Sequence, residues 1–270
     1  MKILYSNEAN FKDEFRALVD RSNIDMQSVM PIVNGIINDI KERGDAALNE
    51  QIAKFDKWEV NGNLAITSDE MKAAYDNLDD KLRNALKLAY ERIKAYHEKQ
   101  VEKSWIDFEP SGAILGQKVT PVDRAGLYIP GGKAAYPSSL IMNAVPAIVA
   151  GVKEIVVCTP AVGGEVNSLL LAAMHLLGIK TAYKVGGASA VAAMAYGTQT
   201  IKKVDVITGP GNIFVATAKK MVYGDVNIDM IAGPSEIGVI ADESANPTHI
   251  AIDLLSQAEH DEIASSFLIT

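Results

Sequence analysis

From about residue 112 onward, short β-branched runs alternate with apolar helical segments of about ten to fifteen residues. Each run closes on Gly or Pro. That alternation predicts an α/β protein with a parallel sheet and right-handed crossovers, Rossmann-like in type. The stretch before it reads as helices. DMQSVMPIVNGIINDIKERG places apolar residues at spacings of three and four, with Asp25 as a start signal and Gly44 as a stop. NLDDKLRNALKLAYERIKAYHEKQ sets Leu82, Leu86, Ala89, Ile93 and Tyr96 on one face of a long amphipathic helix, with Leu78 as an N-terminal staple. The mixed stretch from Trp58 to Ile66 supports no assignment. RAGLYIP, EIVVCTP, TAYKVGG and VDVITGP read as strands, separated by the helical stretches SSLIMNAVPAIVAG, EVNSLLLAAMHLLG and ASAVAAMAYG. A strand at EIGVIAD, a helix from about Pro247 to His260 and a last strand at SSFLIT resume the pattern.

The 270 residues are 48% hydrophobic, enough for a sizeable core. A formal net charge of -8 argues against general binding to nucleic acid or anionic membranes, which clustered Lys and Arg would drive, so small-molecule partners are favoured. Cys158, the only cysteine, lies in the apolar run EIVVCT. It excludes an internal disulfide, reads as a packing residue and is consistent with a reducing compartment. The first residues lack the apolar segment of a secretory signal, and no apolar run approaches the roughly 18 residues of a membrane span. A cytoplasmic location is the expectation.

Chemistry is expected where the strands end: YIPGG, KVGG, GPGN and AGPSE. The carboxyl ends of an open parallel sheet converge on one edge, and glycines there let backbone amides approach a ligand. Helix N-termini add unpaired N–H groups suited to phosphate. GPGN followed by IFVATAKK has the form of such a junction, but neither it nor KVGGASA matches the G-x-G-x-x-G fingerprint, and tight turns account for glycines equally well. Ser235 stands in no G-x-S-x-G elbow, so capping or hydrogen bonding suits it better than nucleophilic attack. Glu236 and Asp242 stay unassigned. His97 reads as solvated and His175 as packed on an apolar helix. Gln257 and His260 would share one helix face at i and i+3, yet two ligands do not hold a zinc ion. On spacing alone the pair reads as a polar helix end.

Taken together, RAGLYIPGGKAAYPSSLIMNAVPAIVAGVKEIVVCTP, KVGGASAVAAMAYGT, VDVITGPGNIFVATAKK and IDMIAGPSEIGVIADESANPTHIAIDLLSQAEHD resemble the histidinol dehydrogenase family. The resemblance is dense from about residue 123 and weaker before it. It implies oxidation of L-histidinol to L-histidine by two successive hydride transfers to NAD through a bound aldehyde, with a zinc ion gripping the substrate. Gln257 and His260 match family zinc ligands, and both would lie against the substrate. Ser235 matches a substrate contact. Tyr128 and Asn212 match NAD contacts, and Ser189 occupies the position where the family carries a Gln, which shortens one arm toward NAD. The family's acid/base Glu-His pair and its two further zinc ligands match nothing among these residues. The expectation is therefore no catalytic residue here and little or no turnover by this chain alone.

The resulting expectation is an α/β protein of two incomplete Rossmann-like lobes preceded by an N-terminal helical region. Residues 1–25 form a helical arm, 26–123 and 235–270 the first lobe, and 124–234 a second lobe with the NAD contacts. The family implies a homodimer. Two alternatives stay open: a related zinc- and NAD-dependent dehydrogenase of another small alcohol, and a noncatalytic binding or assembly module.

Overall fold

The computed structural model describes residues 2–20, 26–131, 136–231, 236–259 and 264–270. Asp25, Ser235 and His260 lie outside the described residues. The chain divides into two compact units, Met1–Asp25 with Ala232–Thr270, and Met26–Ile231. Helix α1 (Phe11–Asp20) belongs to the first. The second contains α2 (Met26–Arg43), α3 (Asp45–Phe55), α4 (Ser68–Asp76), α5 (Asp80–His97), β1 (Trp105–Phe108), β2 (Ile114–Gln117) and β3 (Arg124–Tyr128). It continues with α6 (Pro137–Ala150), β4 (Glu154–Thr159), α7 (Ser168–Leu176), β5 (Thr181–Lys184), α8 (Gly187–Tyr196), β6 (Val206–Thr208), α9 (Ile213–Val222) and β7 (Asn227–Ile228).

The helix boundaries follow local chemistry. Gly44, with φ 57°, ends α2 and turns the chain directly into α3. Thr67 and Glu70 form a reciprocal capping box on α4, and the Asp79 carboxylate accepts from the Leu82 N–H at 2.9 Å to start α5. Gly151, in the left-handed conformation, closes α6. The apolar stripe of α5 is narrower than its spacing predicts. Leu86 is buried and Ala89 and Ile93 are half-buried, whereas Leu82 and Tyr96 are exposed.

Strands β3 to β7 form one parallel sheet in the order β5-β4-β3-β6-β7. The stretch 64–66 runs antiparallel along the outer edge of β5, with the Ile66 N–H donating to the Ala182 carbonyl at 2.8 Å and the Lys184 N–H to the Leu64 carbonyl at 2.9 Å. It covers an edge that would otherwise present unpaired backbone groups. One apolar cluster, including Val33, Leu48, Met194, Ile207 and Val215, fills one side of the sheet. A second, including Met71, Leu127, Leu140, Val145 and Met174, fills the other. Helix α8 can lie close because it is rich in Ala. A Cβ added to Gly126 would stand 2.7 Å from the Met194 sulfur and 3.0 Å from a Val204 methyl, so these side chains pack directly on the strand backbone there. Cys158 is fully buried in the first cluster, which pushes its thiol pKa upward and leaves it inert. His175 is half-buried with its ring 5.0 Å from that of Tyr75, in keeping with a packing role.

The hairpin of β1 and β2 has no counterpart in the sequence reading. Its strands pair antiparallel from Trp105↔Gln117 to Phe108↔Ile114, turning through EPSG with Gly112 at φ 85°. In the smaller unit, β8 (Glu236–Ile240) and β9 (Ser265–Ile269) pair in parallel and are joined by α10 (Pro247–Ala258). Asn246 caps α10 through the Thr248 N–H at 2.9 Å, and Pro247 occupies the first turn, where its missing donor costs nothing. Among the described residues, no helix is long and apolar enough to cross a membrane.

Candidate functional site

Chain order along the sheet reverses between β3 and β6. From β3 the strands run outward to β4 and β5, and β6 then begins on the opposite side of β3. A crevice opens at such a point because the connections after the two strands leave toward opposite faces. The loop after β6 is Gly209-Pro210-Gly211-Asn212, and it presses on the end of β3. A Cβ on Gly209 would lie 2.0 Å from the Tyr128 carbonyl oxygen, and Gly209 holds φ 122°, which L side chains rarely adopt. Asn212 then caps α9, its side-chain oxygen accepting from the N–H groups of Phe214 at 3.1 Å and Val215 at 3.2 Å. That oxygen is committed to the helix. The amide Nδ2 remains as the donor of this exposed side chain.

A buried charge holds the same loop from behind. Lys219 is only 4% exposed, and its ammonium donates to the Gly209 carbonyl at 2.9 Å while pairing with Asp229. The other oxygen of Asp229 accepts from the Gly209 N–H at 2.9 Å. Both backbone polar groups of one glycine are thereby fixed by one ion pair, which ties the end of β6 to α9 and to the residue after β7. Sequence reasoning passed over both residues. The signal was there: Val215, Ala218 and Val222 line the buried stripe of α9, and Lys219 occupies the i+4 place on it.

The start of α8 is likewise closed by this chain's own groups. The Tyr128 hydroxyl accepts from the Gly187 N–H at 3.2 Å, and the Asp56 carboxylate accepts from the Gly186 N–H. Burial pushes the Tyr128 phenol up to about 12, with the Gly187 contact pulling the other way and the Asp56 charge adding to the rise. The phenol is thus neutral, with its proton free to donate. Burial also raises the Asp56 carboxyl above its ordinary value, opposed by the Gly186 bond. Because its folded value is raised, the stability contributed by Asp56 is full below about 3.8, the ordinary carboxylate value, and is lost as pH rises through the raised one. Asp56→Asn removes that slope. Relative to the parent, the variant is expected to gain stability as pH rises through this window, in urea titrations across the acid range; a difference independent of pH would contradict the burial argument.

Three expected cofactor contacts therefore gather on one sheet edge. Tyr128 ends β3, Ser189 lies in the first turn of α8 and is buried, and Asn212 caps α9. Two further groups suit a polar ligand there. The hydroxyl oxygens of Thr159 and Thr208, the last residues of β4 and β6, are buried with no hydrogen-bond partner among the described residues. Close-packed glycines, an uncommitted amide and unmet hydroxyls fit a dinucleotide.

In the smaller unit, Gln257 is half-buried near the end of α10, and its Nε2 is enclosed without a partner among the described residues. Because oxygen and nitrogen of an amide are interchangeable by a flip, this side chain can offer an oxygen to a cation. Helix α10 ends at Ala258 with Glu259 as its C-cap, short of the expected His260, which lies outside the described residues together with Ser235. One described donor is compatible with a metal and does not by itself make a site.

A sequence model of a family described as histidinol dehydrogenase matches residues 19–270. The histidinol dehydrogenase of Sulfurimonas denitrificans is 66% identical over 267 residues, covering 98% of this chain and 62% of that protein. That of Wolinella succinogenes is 64% identical, covering 100% and 63%. The crystal structure of histidinol dehydrogenase from Elizabethkingia anophelis superposes with a TM-score of 0.83 at 42% identity, over 89% of this chain and 56% of that one. The chain thus spans about three fifths of the length of these curated relatives.

Proposed function

Because this chain belongs to the histidinol dehydrogenase family, we propose that its larger unit binds NAD for the oxidation of L-histidinol to L-histidine. The observation that carries the cofactor reading is the Gly209–Asn212 loop at the switch point, clamped from behind by Lys219 and Asp229. NAD, when bound, supplies the hydride acceptor for two successive transfers. The chain's own residues supply its seat. Asn212 Nδ2 donates from the α9 cap, the Tyr128 hydroxyl donates from the end of β3, and Ser189 reaches from the first turn of α8 with an arm shorter than the family's Gln. A zinc ion supplies a Lewis-acidic grip on the substrate imidazole. Gln257 and His260 would be two of its ligands and Ser235 a substrate contact. The acid and base roles fall on none of these residues, so the expectation for this chain alone is cofactor binding without turnover. NADH formation from histidinol by the chain would overturn that part of the proposal.

Since the Asn212 oxygen is spent on capping, Asn212→Ala would confound loss of a helix cap with loss of a ligand contact. Asn212→Ser keeps a capping oxygen and removes the Nδ2 donor. It is expected to weaken NAD binding by about 1 kcal/mol, roughly fivefold, in titration calorimetry, with thermal stability nearly unchanged. Unaltered affinity would remove this loop from the cofactor site.

A further inference from the structure

We propose that the cleft between the ends of β3 and β4 takes the adenosine half of the dinucleotide, and that Glu165 there discriminates against a 2′-phosphate. The inference rests on the NAD reading above and extends it to a second subsite. The cleft has a volume of about 490 Å³, within the roughly 300–1,000 Å³ usual for small-ligand sites. Its walls include Gly131 after β3, Thr159 at the end of β4, and Glu165 and Ser168 at the approach to α7, with Tyr136 and Leu170 adding apolar surface.

Three observations converge on a nucleoside. The first is topological. A dinucleotide lies across the carboxyl edge of a doubly wound sheet, so a molecule anchored at the β6 loop on one side of β3 extends past β3 toward β4. The second is an unmet polar group. Thr159 is 1% exposed, lines the cleft, and its hydroxyl has no partner among the described residues, which a ligand hydroxyl or ring nitrogen would supply. The third is closeness of backbone. A Cβ on Gly131 would come within 3.0 Å of the Pro160 ring and 3.1 Å of its carbonyl oxygen, so only glycine lets the two strand ends stand this near while lining a cleft.

Glu165 sets the class of nucleotide. Its side chain is exposed at the cleft, and an ionised carboxylate offers acceptors only. Two ribose hydroxyls can donate to it as a pair. A 2′-phosphate would set like charges against one another and leave those acceptors without donors. Tyr136, Val166 and Leu170 give the base an apolar surface.

The test is titration calorimetry of the 270-residue chain with NAD, NADP, AMP and nicotinamide mononucleotide, on the parent, Glu165→Gln and Ser168→Trp. Both sites are exposed, and circular dichroism checks that each variant is folded. The parent is expected to bind NAD at least about tenfold tighter than NADP. Glu165→Gln should narrow that ratio severalfold. Ser168→Trp, which fills the cleft, should weaken NAD and AMP by about tenfold or more and leave nicotinamide mononucleotide unaffected. NAD binding that neither variant alters overturns the cleft assignment and leaves the NAD reading intact. AMP that binds without competing with NAD overturns it too, and marks the cleft as a separate nucleotide site. No NAD binding by the folded parent defeats both readings.

Discussion

Asp229→Ala is expected to destabilise the Met26–Ile231 unit by about 3–5 kcal/mol, read as a lowered urea midpoint. The substitution leaves the Lys219 ammonium, 4% exposed, with only the Gly209 carbonyl for company, and it strips the Gly209 N–H of its acceptor. A buried cation without its counter-charge is among the costliest defects a fold can carry. Lys219→Met should cost less. The Asp229 side chain keeps 30% of its surface in solvent and can rehydrate, while the thioether fills the space of the lysine stem. The order of the two variants is therefore the diagnostic. Equal losses, or a mild Asp229→Ala, would mean that the lysine escapes to water and that the clamp on the glycine loop is weak.

Gly209→Ala has the second large expectation, a loss of about 3–5 kcal/mol. Two costs coincide. The backbone sits at φ 122°, and the new methyl would be driven to 2.0 Å from the Tyr128 carbonyl oxygen, which belongs to the central strand and cannot yield. Relief requires the loop to withdraw from β3, which would also carry Asn212 away from the sheet edge. Gly35→Ala is the internal control. Gly35 lies inside α2 with nothing within 4 Å of an added Cβ, so the same chemical change should stabilise by about 0.4–1 kcal/mol. If both variants behave alike, close approach of the β6 loop to β3 is not what Gly209 provides.

The parallel sheet could be read from the chain because its strands are short apolar runs ended by Gly or Pro, and the helices between them repeat at three and four. RAGLY, EIVVCT, TAYK and VIT all appear where that pattern places them. The β1–β2 hairpin could not be read. Trp105, Ile106, Phe108, Ile114 and Leu115 are exposed, so the strands carry no inward-outward alternation, which is the signal a half-buried strand writes into sequence. At the site, the glycine loops were legible as strand ends. Their reinforcement was passed over although Lys219 stands on the apolar stripe of α9, because it precedes a second lysine, and a lysine pair normally marks a solvated helix face. Asp56 was hidden for a different reason. It acts across 130 residues of chain on Gly186, a relation that no local spacing encodes. Asn212 was recognised through family resemblance as a cofactor contact, while its second duty as the α9 cap follows from its place before an apolar helix and emerged only with the geometry.

The proposed seat of nicotinamide dinucleotide is the carboxyl edge of the five-stranded sheet, where strand order reverses. Backbone amide NMR of the 270-residue chain titrated with NAD examines that placement residue by residue. Saturable shifts are expected at Ile129, Gly131, Gly209, Gly211 and Asn212, with the amides along α5 unmoved. Saturable binding whose shifts fall on α5 or the β1–β2 hairpin and spare Gly209 to Asn212 would contradict it.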